Sequence, residues 1–449
     1  MEQNLAMLCK PILVATFLVQ FGCLQTPAAD WPQWRGPEGQ GHAAEDARPP
    51  IEWSETKNVV WMTGLPGRGW SSPVIADGLA WMTAAHETDA TPEEAKRRLE
   101  KNTGGQPVTV LASARLHAIG VDLETGQVKH DLELFTAKDP QWVHRFNSYA
   151  SPTPWLQDGK LYCHFGALGT ACVETSSAKV LWTNTDADLV VMHENGPGGS
   201  PVLFEKNLIF HLDGSDRQFL VALDADTGKV KWKTERSGEM HENPQLKKAY
   251  GTPLLAKIDG KPQILSQAAN WLYGYDPRTG KELWRLSYER LGFSNVARAV
   301  IKDDRMFLAT GFMQSELLAI DLPPRSMKPE IAWRYNKSVP KSPSPIVVGD
   351  ELYFVSDSGG TLTCLDADSG DQIYRERISS GTYWSAPTYA NGHIYFHSEE
   401  GVTTVVKAGT NFKVVAENEL DGRHFASAAV IGNDLILRTD KALYRIGRR

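Results

Sequence analysis

Two copies of one tetrapeptide carry the side chains best suited to chemistry. Met-His-Glu-Asn occurs at Met192–Asn195 and again at Met240–Asn243. Imidazole and carboxylate can hold a metal or move a proton, and the amide of Asn195 or Asn243 adds a donor and an acceptor beside them. In both copies His and Glu are adjacent (His193-Glu194 and His241-Glu242), not four residues apart, so neither has a spacing diagnostic of a metal ligand pair. Further polar and aromatic clusters occur at Arg68-Gly69-Trp70, His144-Arg145-Phe146-Asn147, Tyr383-Trp384 and Arg423-His424. Indoles can stack on a ring, and guanidiniums can grip a polar group through two donors. No Ser-His-Asp set, phosphate loop or glycosidase carboxylate pair stands out.

Each cluster lies just ahead of a phrase of small residues and proline, so its placement depends on the element that the phrase opens. Eight such phrases occur. They begin at Trp70-Ser71-Ser72-Pro73, Ala150-Ser151-Pro152, Gly199-Ser200-Pro201, Tyr250-Gly251-Thr252-Pro253, Ser294-Asn295-Val296, Ser342-Pro343-Ser344-Pro345, Trp384-Ser385-Ala386-Pro387 and Phe425-Ala426-Ser427. A hairpin turn such as Asp77-Gly78, Asp158-Gly159 or Asn391-Gly392 follows, then a second apolar strand. The clearest third and fourth strands lie in Phe219–Trp232. There an apolar run meets the turn Asp224–Gly228, and Val230 and Trp232 then alternate with lysines. Tyr275–Trp284 and Leu365–Tyr374 repeat that phrase, Val121–Gly126 is a shorter copy, and looser ones end at Trp182 and Trp333.

A unit of four antiparallel strands recurring every roughly 40–50 residues is a repeat architecture. The last unit, from Phe425 to Arg449, has room for three strands only, while Asn58–Met62 is a strand without a unit. Pairing Asn58–Met62 with Leu443–Ile446 completes the last sheet and removes two open edges. The sequence thus predicts an all-β chain folded as an eight-bladed β-propeller, closed by an N-terminal strand in the C-terminal blade. Thr91–Glu100 carries an N-cap Thr, Pro at the first helical position and Glu three residues after the cap, so a short surface helix is expected inside blade 1.

Composition agrees with a globular chain. Of 449 residues, 41% are hydrophobic and 22% charged, with a net charge of −7 and no long Lys/Arg run, which argues against a nucleic-acid surface. Residues 1–29 read as a signal peptide: Lys10, an apolar run over Pro11–Phe21 too short to span a bilayer, then small residues at Thr26–Ala29. Cys23 is a second candidate, for lipid anchoring, although Gln20 stands where a lipoprotein signal favours Leu. Residues 30–50 read as an ordered, irregular arm because Trp31 and Trp34 would be wasted in a disordered tail, and 51–449 as the propeller. The expected location is periplasmic or secreted, the expected state a monomer, and no transmembrane span is expected in the mature chain.

The Asp-x-x-Thr-Gly-x-x-x-Trp phrase resembles the tryptophan-docking motif of the quinoprotein alcohol dehydrogenase-like propellers. Asp30–Pro37 and Gly401–Gly409 further resemble secreted bacterial PQQ-binding-like β-propeller repeat proteins. The resemblance covers about Ile51 to Arg449 and implies the fold. It does not imply the cofactor, since non-enzymatic members share the motif, including the lipoprotein scaffold of the outer-membrane β-barrel assembly machinery. For a dehydrogenase it would imply pyrroloquinoline quinone (PQQ), Ca²⁺ held by Glu and Asn beside a catalytic Asp, and in many members a pair of adjacent cysteines. Glu194-Asn195 and Glu242-Asn243 supply the ligand types, but no Asp can be assigned to them, and no two cysteines are adjacent. Cys172 and Cys364 occupy a position held elsewhere by Ala222, Gly274, Ala319 and Gly120, which selects for small size. Cys163 and Cys172 could face each other across a hairpin.

Three readings of the loop clusters stay open: a metal site, a binding funnel at the channel mouth, and ordinary surface loops whose doubled motif reflects repeat duplication. The funnel would comprise Arg68, Trp70, His144, Arg145, Asn147, His193, Glu194, Asn195, His241, Glu242, Asn243, Tyr383, Trp384, Arg423 and His424, and would suit a glycan or a cell-envelope protein. The functional expectation is a binding or scaffold module with no cofactor. The alternative is a PQQ- and Ca-dependent dehydrogenase.

Overall fold

The computed structural model describes residues 30–448 except 101, 103, 104, 290 and 291. The signal-peptide reading of residues 1–29 and the Cys23 anchor lie outside the described residues. Eight four-stranded antiparallel sheets form the ring. Blades 1 to 7 span residues 74–138, 155–184, 202–235, 254–287, 300–335, 346–377 and 388–419. Blade 8 spans 429–446 and takes Val59–Gly64 as its outer strand. That strand pairs Val59 with Ile446, Thr63 with Leu443 and Gly64 with Ala442, so the ring closes as the missing fourth strand predicts. The expected helix is present at Pro92–Leu99, where Thr91 accepts the backbone N–H of Glu94 at 3.2 Å.

The turn phrase has two physical roles. Within the turn, the Asp224 carboxylate accepts the N–H of Asp226, and the N–H and hydroxyl of Thr227, at 3.0–3.2 Å. Gly228 then adopts φ +71°, open to glycine at little cost. Between blades, the same glycine is a seat. Trp182 of blade 2 lies against Gly228 of blade 3, and its indole N–H donates to Ala225 O at 3.0 Å. Trp61 of blade 8 lies on Gly126 of blade 1, Trp232 on Gly280, and Trp333 on Gly370. The turn aspartates are therefore structural. Backbone donation from Thr125 and Ser369 holds the Asp122 and Asp366 carboxyls below their ordinary range.

The small position ahead of the turn is explained by register. Cys172 pairs with Trp182, Ala222 with Trp232, Gly274 with Trp284, Ala319 with Trp333 and Cys364 with Tyr374. A larger side chain would collide with the aromatic ring opposite. Burial pushes the Cys172 and Cys364 thiols up to about 12, which makes them poor nucleophiles. The Cys163–Cys172 pairing is excluded by alternation. Cys163 stands opposite Ala171, whereas Cys172 stands opposite Tyr162, so the two thiols point to opposite faces of blade 2 and enter different cores. Both are free and buried.

Hydroxyls from the opening phrases lace the blades together at the centre. Ser72 N–H donates to Thr153 Oγ1, Thr153 N–H to Ser200 Oγ, and Ser200 N–H to Thr252 Oγ1, each at 2.9 Å. Arg298 N–H reaches Ser344 Oγ, Ala386 N–H reaches Ser427 Oγ, and Ser427 N–H returns to Ser72 Oγ at 3.0 Å. Arg298 and Ala386 hold the equivalent position without offering a hydroxyl, and there the lacing is interrupted. At the closing seam between blades 8 and 1, the buried Arg438 guanidinium donates to Ser71 O, Ser71 Oγ and Thr83 O at 2.8–3.1 Å.

Candidate functional site

The irregular arm gives the central channel a floor. Trp31 bridges to Ile75 on the innermost strand of blade 1, and Pro32 O accepts the N–H of Leu156 in blade 2. Arg35, fully buried, donates to Gln40 O and to Pro345 O at the start of blade 6, and Tyr389 of blade 7 donates its N–H to Gly41 O and accepts that of Ala43. The arm thereby crosses the ring at the far ends of the inner strands. Trp34 projects into the channel, where its indole N–H donates to Ser427 Oγ at 3.2 Å and the buried Arg298 guanidinium lies 5.9 Å from its ring. What would be a hole becomes a cup.

The cup has a volume of about 450 Å³. Its lower wall is the hydroxyl lacing, whose oxygens are already engaged. Its upper wall is aromatic. Trp70 stacks on Phe425 at 4.4 Å, and Trp384 stands 6.3 Å from both Phe425 and Phe146. Both indoles are pinned: Trp70 N–H to Phe146 O at 2.9 Å, Trp384 N–H to Glu399 Oε2 at 2.7 Å. A preformed aromatic wall loses little side-chain freedom when something stacks on it. Guanidiniums back the same wall, with Arg68 over Trp70 at 5.2 Å, Arg145 over Phe146 at 4.7 Å and Arg423 over Phe425 at 5.1 Å. Across the mouth, the ammonium of Lys341 lies 5.1 Å from the Phe312 ring.

Of the residues singled out by the sequence, Trp70, His144, Asn147, Asn195 and Trp384 line the cup. His144 is set by a two-residue strand pairing with Val108, and its imidazole is held low by burial and then by Arg145. Asn147 and Asn195 interlock, with the Asn147 amide donating to Asn195 O at 2.8 Å and to Pro197 O at 3.0 Å. Arg68, Arg145 and Arg423 stand behind the wall. Two of these are partly committed, Arg68 to Glu87 at 3.5 Å and Arg423 to Asp440 at 2.8 Å, while Arg145 is exposed.

The other residues do not line the cup. Equivalent backbone positions do not deliver equivalent side chains. Glu194 takes φ +61° and turns into the protein, where it pairs with Lys248 at 2.8 Å. Lys248 belongs to the loop that carries the second Met-His-Glu-Asn, so the two copies are neighbours but not alike. His193 is buried against Tyr250, and burial lowers its imidazole to about 4. His241, Glu242 and Asn243 are exposed, and Asn243 caps the turn Pro244–Leu246. Tyr383 is buried with its hydroxyl on Ser379 O at 2.6 Å, and His424 is buried beside His397, its imidazole lowered to about 4 by burial. The sequence reading missed Trp34, Tyr250, Phe312 and Phe425. Phe425 carried a signal, because it directly follows Arg423-His424. Trp34 lies outside every repeat, and its type signalled an ordered arm but not a place in the cup.

The donor set of the cup does not match Ca²⁺. Among the cavity-lining residues the one carboxylate is Asp357, which accepts the backbone N–H groups of Lys341 and Ser342 at 2.9–3.0 Å, with burial raising its pKa. Glu194, the ligand type implied by the resemblance, is committed to Lys248. A calcium ion needs six or more oxygen ligands with charge to balance it. Besides Asp357, the cup supplies indoles, phenyl rings, hydroxyls, the Asn147 and Asn195 amides, the His144 imidazole and the Lys341 ammonium.

Comparisons place these features among known proteins. No curated protein sequence matches the chain. A europium-containing methanol dehydrogenase superposes with a TM-score of 0.61 at 10% identity, over 92% of this chain and 88% of that one. The computationally designed Ika8 protein gives 0.55 at 9% identity over 85% and 98%. BamB from Moraxella catarrhalis gives 0.47 at 15% identity over 79% and 95%. At such identities the first two likenesses establish the propeller fold alone. Residues 190–322 and 325–424, just over half of the chain, match the family described as outer membrane protein assembly factor BamB, and the chain belongs to that family of PQQ-like repeat propellers.

Proposed function

We propose that this protein is a binding module of the cell envelope, periplasmic or secreted, which captures a ring-bearing ligand in the cup. The carrying observation is the pinned aromatic wall of Trp70, Phe146, Trp384 and Phe425 above a floor made by Trp34. Sugar rings present C–H faces that stack on indoles and edge hydroxyls that bond to amides, so a glycan chain end suits a wall of this kind flanked by Asn147, Asn195 and His144. The Lys341 ammonium at the mouth would favour a glycan carrying carboxylates. The proposed role needs no cofactor and no second copy of the chain. No helix among the described residues is long and apolar enough to cross a membrane.

Intrinsic tryptophan fluorescence against a panel of envelope polysaccharides, neutral and uronate-bearing, tests this reading. Saturable quenching by a member of the panel is expected, and the folded double variant Trp70→Ala, Trp384→Ala should lose about tenfold or more in affinity, by analogy with a nucleic-acid base on an aromatic side chain, which contributes about 1–3 kcal/mol. Unchanged affinity in that variant removes the cup from the reading. A second reading, that the cup receives an apolar side chain of an envelope protein, is favoured by the family match. It predicts binding to an envelope protein fraction that the same two substitutions abolish.

A further inference from the structure

Blade 1 differs from the other seven in the length of its strands. Leu79–Asp89, Leu111–Asp122 and Val128–Lys138 run well past the ends of their counterparts. The extension carries side chains that neither the cup nor the blade core uses. His86, His117, Asp131 and Glu133 share one face, the face whose lower part, Met82, Ala84 and Ile119, packs into the core common to blades 8 and 1. One ligand atom from each of His86, His117 and Asp131 lies within 4.8 Å of the others.

The details are those of a site and not of a solvated face. His117 is buried, and its Nδ1 lies 2.6 Å from Asp131 Oδ1. The rings of His86 and His117 stand 4.3 Å apart, and Nε2 of each is buried without a hydrogen-bond partner. His86 Nε2 is 4.0 Å from Asp131 Oδ1, and Glu133 Oε2 is 4.0 Å from His117 Nε2. A buried imidazole nitrogen without a partner, as His86 Nε2 is, is costly unless something neutralises its lone pair. The positive group facing the cluster is the half-exposed Arg115, 3.7 Å from Glu133.

We propose that His86, His117 and Asp131 form a binding site for a divalent transition metal of the Zn²⁺ class. The ion takes the place of the proton shared by His117 Nδ1 and Asp131, and His86 Nε2 supplies the third ligand. Two nitrogens and one carboxylate oxygen are the donors that Zn²⁺ accepts in a tetrahedral site, which here leaves one position for water. With Nδ1 on the metal, His117 Nε2 carries the remaining hydrogen toward Glu133, the outer carboxylate that commonly orients a ligating imidazole. A bound ion would tie the second, third and fourth strands of blade 1 together beside the seam where the ring closes.

The experiment is titration of the full chain with Zn²⁺ by calorimetry, and with Co²⁺ followed by visible absorption, which reports tetrahedral ligation directly. A single saturable site is expected. Asp131→Asn, at a partly exposed position, should weaken Zn²⁺ by more than about 100-fold and Glu133→Gln by about tenfold. If circular dichroism shows that Asp131→Asn has unfolded, His86→Gln decides, because that side chain is also partly exposed. Absence of saturable binding in the unaltered chain overturns the proposal, as does an affinity unchanged in whichever of these two variants is folded.

Discussion

The seam between blades 3 and 4 and the seam between blades 4 and 5 begin from nearly the same sequence and end differently. Trp232 leaves its own blade and lies on Gly280 of the next, 2.3 Å from where a Cβ would stand, while Thr234 Oγ1 donates to Gly280 O at 2.7 Å. Trp284 is the equivalent residue one blade on. It folds over Gly274 of its own blade, and its indole N–H donates to Gln263 Oε1 at 2.8 Å. The cause lies in the receiving blade. Blade 5 turns through Asp321-Leu322-Pro323-Pro324-Arg325, with no glycine on which a ring could rest. A repeat motif therefore describes half of a contact. The other half lies about one repeat downstream.

The sharpest way to break the comparison is Gly280→Ala. It places a Cβ inside the Trp232 ring contact and forces alanine to φ +70°. Lost seating and left-handed strain together should cost about 3–5 kcal/mol, read as the change in denaturant midpoint, and a loss below about 1 kcal/mol would mean that the ring is not held by the glycine. Next in size, Trp232→Ala should cost about 2–4 kcal/mol, because the side chain is half-buried and not fully enclosed. It should also speed hydrogen exchange in the turn 276–280 of blade 4. Trp284→Ala should speed exchange within blade 4 but leave the blade 5 turn unchanged. Equal propagation by both would erase the distinction between the seams.

A smaller effect separates seams by pH. His164 packs against Phe210 across the blade 2–3 seam, ring centres 4.0 Å apart, His211 bonds Ser266 across the next at 3.0 Å, and His397 faces His424 at blades 7–8. Burial lowers His164 to about 3, and His211 and His424 to about 4. These groups stay neutral when folded but take a proton near pH 6.5 when unfolded, so unfolding takes up protons below that pH. Their contribution is complete above about pH 6.5 and is lost as pH falls toward 4. Hydrogen exchange at pH 5 should accelerate first at these seams, leaving the blade 4–5 and 5–6 seams behind. Uniform acceleration would show that the buried imidazoles do not set the acid response.

The fold was legible because each of its signals is local: small residues with proline, a hairpin turn, Asp-x-x-Thr-Gly, an aromatic residue. Ring closure was legible by subtraction, since Asn58–Met62 lacked a sheet and the last unit lacked a strand. The site was less so. Trp70, His144, Asn147, Asn195 and Trp384 were found because their loops converge by symmetry, but Glu194 and His424 sit on the same loops and point inward. Backbone equivalence fixes where a loop stands and not which way a side chain turns. The hydroxyls of Ser72, Thr153, Ser200 and Thr252 read as merely small because their partner is always the next unit. His86, His117 and Asp131 had no readable spacing because three strands of register, not one helix or turn, bring them together.

The closing strand has a further consequence for how the chain is made. Val59–Gly64 is made long before its partner Ala442–Ile446, so the sheet that completes the ring joins strands far apart in sequence. Pairing across so long a separation is slow. Until it happens, the unpaired strand Val59–Gly64 and the outermost strand of the unfinished blade 8 each expose an open edge that another chain could join. Trp34, which floors the cup through Ser427 of blade 8, waits on the same event. A chain cut short ahead of Phe425 thus has neither a closed ring nor a finished cup.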